Sequence, residues 1–289
     1  MAADTTLKAT RRRPAGRAVT NAGISYAVLI LGSIAFLMPL AWLMSTSLKT
    51  QDQIFTYPIK WAPSPVRWGN YRDLFSTAPF GTYIWNTCIL TFFGVLGSLT
   101  GSSIAAYAFA RLRFRGRNTL FFIMLSTMMV PGWVTLIPSY IMFAKIGWLD
   151  TYLPILVPAF FATPFNTFLL RQFFLSMPLE LEEAARIDGC GTFRIFATIA
   201  LPLAKPALVI VSLYSFLLHW NDFLGPLVYL QSQNKFPLSL GISNFIGLQS
   251  QNYALTMAGA AIAIAPCVIL FFIAQRWFIQ GVVVTGVKG

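Results

Sequence analysis

The chain has 289 residues, 56% of them hydrophobic and only 10% charged. Soluble domains carry about a quarter charged residues, so this composition excludes an ordinary soluble protein and points to an integral membrane protein. The net charge of +12 raises nucleic-acid binding, but the basic residues sit in short segments between apolar runs; membrane topology accounts for them and no nucleic-acid partner is expected.

Crossing the hydrocarbon layer takes about 20 apolar residues, and six stretches qualify: 23–48, 83–109, 119–144, 152–175, 206–230 and 256–275. The expected fold is therefore an all-α membrane protein of six transmembrane helices. Residues 1–22 form a basic tail with Lys8, Arg11, Arg12, Arg13 and Arg17. The apolar run behind that tail is roughly twice as long as a signal-peptide core, so it should remain as the first span. Placing both termini in the cytoplasm leaves fifteen Lys and Arg inside and six outside, the asymmetry that orients membrane proteins.

Residues 49–82 form the first external loop, where Pro58, Pro63, Pro65 and Pro79 alternate with Trp61, Trp68, Tyr71 and Phe75. It reads as a small cap with a short helix near 68–75, serving either as a contact surface for an external partner or as interfacial packing. The core, 83–276, begins with a span holding Gly94, Gly97 and Gly101; small residues at such spacing let helix backbones approach closely. Pro131 and Pro138, then Pro154, Pro158 and Pro164, then Pro226 and Pro266 interrupt the later spans. Each removes a backbone donor and kinks its helix, which suits a bundle enclosing a cavity. Asp222 should lie toward the outer end of span five, with a structural role beside Gly225 and Pro226; His219, the sole histidine, reads as a polar packing residue.

No Gly-Lys dipeptide occurs, so there is no phosphate-binding loop of the GxxxxGK[ST] kind. Cys88, Cys190 and Cys267 lack metal-ligand spacing. No catalytic residue, metal site, disulfide or cofactor is expected in this chain.

The stretch 178–202, PLELEEAARIDGCGTFRIFATIALP, is charged between two apolar runs. Pro178 suits a first helical turn, and Glu180, Glu182 and Glu183 follow where the helix dipole favours negative charge. Gly189 and Gly191 should end this helix with a left-handed cap, Thr192 should cap a second helix, and Pro202 should stop or bend it before span five. Such a helix pair is shaped to enter a groove on another protein. An interfacial amphipathic helix fits poorly, since those prefer a Lys/Arg-rich polar face.

Glu183-Ala184-Ala185, then Gly189, then Ile199, Leu201 and Pro202 match in register the EAA loop of ABC importer permeases. Trp220-Asn221-Asp222-Phe223 and the C-terminal run from Gly281 to Gly289 resemble the carbohydrate, maltose-permease-like branch. This resemblance implies a type I importer half moving an oligosaccharide by alternating access in a bacterial inner membrane, with residues 277–289 as a cytoplasmic tail. It implies a second permease subunit, an external substrate-binding protein, and two ATP-binding subunits that hold the ATP and Mg. The loop becomes a coupling element, built from Glu182, Glu183, Ala184, Ala185, Asp188, Gly189, Ile199, Leu201 and Pro202. Glycerol phosphate or an acidic sugar derivative stays open as cargo, as does a stand-alone ion-coupled transporter, for which Asp222 is the one candidate acid. Because sugar sites combine aromatic rings with hydrogen-bonding groups, Trp133, Tyr140, Asn166, Trp220, Asn221 and Asp222 are candidates for the substrate pathway.

Overall fold

The computed structural model describes residues 15–248 and 252–284; the remainder of the basic tail and the final Thr285 to Gly289 lie outside the described residues. All regular structure among the described residues is helical. Four stretches, Gly23–Ser47, Phe80–Arg111, Leu153–Ser176 and Tyr253–Gln275, are long and apolar enough to cross a membrane. Two bent pairs, Arg117–Met129 with Gly132–Lys145 and Thr192–Leu203 with Lys205–Trp220, bring the number to six when each pair is one crossing.

In chain order, α1 (Ala15–Ser47) leads into a cap carrying α2 (Gln51–Ile54) and α3 (Gly69–Thr77). Asn70 fastens α3 to the end of α1 by donating to the carbonyls of Ser47 and Lys49 at 2.9 and 2.8 Å. The ring of Phe55 meets that of Tyr253 edge-on at 5.0 Å, which lays the cap against the start of the last helix.

The central helix is α4 (Phe80–Arg111), followed by α5 (Arg117–Ser126), α6 (Gly132–Lys145), α7 (Leu153–Ala159) and α8 (Pro164–Ser176). The third span is not a kinked rod: α5 and α6 meet at 100°. Val130 precedes Pro131 and takes extended dihedrals, φ −83 and ψ 115, because the proline ring disfavours helix at the residue before it. The fourth span breaks between α7 and α8, where Thr163 is extended and Pro164 opens the next helix. Gly97 and Gly101 of α4 face this elbow; a Cβ on Gly97 would come within 2.9 Å of the Ala159 carbonyl carbon, and one on Gly101 would overlap the Phe160 carbonyl oxygen. The glycine pair thus lets α4 lie directly on main chain. Gly94 likewise makes room for the half-buried ring of His219.

The charged loop follows as α9 (Glu180–Ile187), α10 (Thr192–Ile195), a π-helical turn over Phe196–Ala200 and α11 (Leu201–Leu203). Then come α12 (Lys205–Trp220), α13 (Leu224–Tyr229), α14 (Leu238–Leu248) and α15 (Tyr253–Val284). The sharp turn into span five, 79°, falls at Ala204 (φ −79, ψ 3) rather than at Pro202, with Pro202 and Pro206 each lacking the amide that would continue the ladder. The same span ends ten residues earlier than hydropathy suggests. Asp222 Oδ1 accepts the Gly225 amide at 3.1 Å and starts α13 as a separate helix.

Two apolar clusters hold the bundle. One joins Ala106, Tyr107 and Ala110 of α4 to Leu170 and Phe174 of α8, Phe196 and Ala200 of the π turn, and Ala207 and Val211 of α12. At the other end Leu74, Phe80, Tyr83, Trp220, Leu238 and Phe245 form the second.

Candidate functional site

Three glutamates open α9, and its end is fixed by glycine. Gly189 has φ +78, a region that costs L-residues strain. The Cys190 amide donates to Ala185 O at 2.9 Å and the Gly189 amide to Arg186 O at 3.0 Å, the paired bonds of a Schellman cap. Gly191 rather than Thr192 occupies the N-cap position of α10, and no side chain bonds to that helix start.

The helix has two unlike faces. Glu182 and Ala185, three residues apart, are buried, whereas Glu183, Ala184, Ile187 and Asp188 are exposed. Glu182 turns inward to Arg111, the last residue of α4: Oε1 lies 3.2 Å from Nε, and the side chains are 9% and 4% exposed respectively. That contact is an ion pair rather than an aligned hydrogen bond, since Nε has no partner of hydrogen-bond geometry. Arg111 Nη2 also donates to the Met177 carbonyl at 2.5 Å, so one arginine grips both the end of α8 and the start of α9. Beyond the glycine corner, the rings of Tyr107 and Phe196 sit 5.1 Å apart and those of Tyr107 and Phe174 5.7 Å apart. They lock the second helix of the loop onto α4 and α8.

Ile199 and Leu201 are half-buried and Pro202 exposed, in the segment that runs into the Ala204 bend. Two apolar side chains at the tip, Ile187 at 87% and Phe193 at 77% exposure, face away from the bundle. Sequence reasoning singled out neither; the available signal was a large apolar residue two positions before Gly189 and another two positions after Gly191.

The six pathway candidates are dispersed. Trp133 and Tyr140 lie on α6, 70% and 36% exposed. Asn166 is buried on α8 and donates to Ser215 Oγ of α12 at 3.2 Å, while its Oδ1 has no partner among the described residues. Trp220 is buried, stacked on Phe216 at 5.4 Å, and its indole N–H is held by Ala263 O at 2.9 Å. That bond ties α12 to α15 near Pro266, where the expected interruption does not occur: α15 runs through the proline as one helix. Asn221 is exposed and donates back to Leu217 O at 2.9 Å; Asp222 organises the turn into α13, its carbonyl also accepting Ser239 Oγ at 2.6 Å. Trp220 with Phe216 instead closes one side of an apolar cleft of about 380 Å³, whose other wall is Cys88, Thr91, Phe92, Val95, Leu96 and Leu99 of α4.

At the opposite end from α9, the segment between α13 and α14 is pinned to its surroundings. Asp150 accepts the amides of Gln231 and Ser232, both at 2.9 Å, the Ser232 hydroxyl at 2.5 Å and Lys235 Nζ at 2.9 Å. These donors hold its carboxyl well below the usual carboxylate range, the Ser232 hydroxyl and amide foremost. Asn86 Nδ2 bridges the carbonyls of Asn234 and Phe236 at 2.9 and 3.0 Å.

Comparison with known proteins places this architecture. Residues 97–284 match the family model described as "Binding-protein-dependent transport system inner membrane component". The chain is 38% identical over 232 residues to the arabinooligosaccharides transport system permease protein AraQ of Halalkalibacterium halodurans, covering 78% of this chain and 81% of the relative. It is 32% identical over 267 residues to the sn-glycerol-3-phosphate transport system permease protein UgpE of Pectobacterium atrosepticum, covering 90% and 95%. Among solved structures, a chain of a bacterial ABC transporter involved in the import of the acidic polysaccharide alginate superposes with a TM-score of 0.81 at 28% identity, covering 91% of this chain and 98% of that one. The chain belongs to the family of binding-protein-dependent transport system inner membrane components, a transport permease rather than an enzyme.

Proposed function

We propose that the chain is one permease subunit of an ATP-driven ABC importer that carries an oligosaccharide into the cytoplasm by alternating access. The observation that carries this reading is the 38% identity to an arabinooligosaccharide permease over most of both chains. Membership of a binding-protein-dependent family speaks against a transporter working alone. Both termini and α9 lie on the cytoplasmic side, and an external binding protein delivers the cargo.

ATP and Mg belong to two separate ATP-binding subunits, and a second permease chain completes the pathway. The outer face of α9, Glu183, Ala184 and Asp188 with Ile187 at the tip, enters a cleft on an ATP-binding subunit. Closure of those subunits on ATP pushes α9. Its inner residues Glu182 and Ala185 pass the displacement to α4, and the Gly189 corner passes it through Ile199, Leu201 and Pro202 to α12. Because α4 rests on the α7–α8 elbow through glycine, it moves as a rigid element against main chain.

The second reading, an anionic cargo, takes its support from the glycerol-phosphate and alginate systems. The cations on α4, α6, α8 and α12 favour an uncharged sugar. Arg111, Lys145 and Lys205 sit in terminal turns, and Arg171 is engaged by the Phe109 carbonyl at 3.2 Å and the Phe121 ring at 4.2 Å. A thermal-shift screen of the cognate binding protein decides: arabino-oligosaccharides and related neutral sugars should raise its melting temperature, and a shift with glycerol 3-phosphate or uronate oligomers alone would transfer the assignment to the anionic reading.

A further inference from the structure

We infer that the segment between α4 and α5 is a binding site for the phosphate headgroup of an anionic phospholipid. Arg111, Arg113, Arg115 and Arg117 fall within seven residues, and only Arg111 has a carboxylate partner among the described residues. Arg113 and Arg115 are exposed and Arg117 is half-buried. Arg117 Nη1 donates to Leu112 O at 3.2 Å, which ties its guanidinium to the end of α4. Arg113, Phe114, Gly116, Arg117, Asn118 and Thr119 line a concavity of about 460 Å³. Planar guanidinium forks suit phosphate oxygens, and two of them converge here.

Depth selects the lipid. The apolar run of α4 ends at Arg111 and that of α5 begins just past Arg117, so the segment sits where headgroups lie. Phe114 packs its ring 6.1 Å from that of Phe109 and keeps 41% of its surface exposed, an aromatic at the depth where interfacial rings collect. Basic clusters immediately beside a membrane helix attract anionic lipid at roughly a fivefold gain per charge.

The test uses the full chain in detergent, with phosphatidylglycerol or phosphatidylcholine titrated in and retained lipid read by native mass spectrometry. The wild type should retain phosphatidylglycerol over phosphatidylcholine, and Arg113→Gln/Arg117→Gln should lose roughly tenfold or more of that preference. Lys60→Gln/Arg72→Gln, at the other membrane face, should keep it. If the double variant does not reach the wild-type unfolding temperature, exposed Arg113→Gln alone gives the same reading at roughly fivefold. Unchanged phosphatidylglycerol retention in these variants overturns the inference. Displacement of the lipid by millimolar inorganic phosphate overturns it in favour of a free anion. Loss of an ATP-binding subunit from the variant complex with lipid retention intact overturns it in favour of a protein contact.

Discussion

Arg111 and Glu182 form a buried ion pair, 3.2 Å apart with side chains 4% and 9% exposed, that joins the last residue of α4 to the first turn of α9. Two charges withdrawn from water are tolerated only while both are present. Removing one strands the other at a cost of about 3–5 kcal/mol. Glu182→Ala should therefore lower the denaturation midpoint of the purified chain sharply. Glu183→Ala, one residue along on the exposed face, should stay within about 0.5 kcal/mol of wild type, and the swap Arg111→Glu/Glu182→Arg should recover part of the loss. Equal midpoints for the two alanine variants would remove the pair from the account.

The pair also marks where sequence reading stopped. The EAA spacing, the dipole-favourable glutamates and the Gly189 cap were all legible, because each depends on residues within one or two turns. Which of three neighbouring glutamates faces Arg111 was not, since that depends on how α9 lies against a helix distant in the chain. The same holds at span five. Residues 221–230 are apolar enough to extend α12, yet the Asp222 carboxylate captures the Gly225 amide and starts a new helix, a competition that hydropathy does not register. Trp220 looked available to a sugar by residue type, while its N–H is committed to Ala263 O.

Glycine at position 101 is a second point of sensitivity. A Cβ there would overlap the Phe160 carbonyl oxygen, and backbone cannot step aside as a flexible side chain would. Gly101→Ala should destabilise the bundle by about 1–3 kcal/mol. Gly132→Ala, with nothing within 4 Å of the added carbon, should be neutral or slightly stabilising. Chemical denaturation of both variants in one detergent checks the contrast; similar losses would mean that α4 does not ride on the α7–α8 elbow.

Asp150 supplies a pH dependence. Its folded-state pKa is depressed by the Ser232 hydroxyl and amide, Lys235 and the Gln231 amide. The carboxylate therefore adds stability that is fully present above its unfolded pKa of about 3.9 and is lost as pH falls through the folded value below it. Asp150 has φ 55, which asparagine also tolerates, so Asp150→Asn removes the charge without straining the backbone. Melting curves at pH 7 should show the variant less stable than wild type, with the gap narrowing below about pH 4. A gap independent of pH would contradict this.

Gly189 tests the coupling account most directly, because its surroundings are open and only its φ of +78 resists substitution. A β-branched residue there pays about 1–3 kcal/mol of local strain and shifts the corner between α9 and α10 without disturbing the packed core. The decisive measurement is ATP-driven oligosaccharide uptake alongside ATP hydrolysis, in proteoliposomes holding the complete importer and its binding protein, for wild type and Gly189→Val. Hydrolysis should persist in the variant while uptake per ATP falls at least severalfold; uptake per ATP unchanged from wild type would contradict the role assigned to this loop.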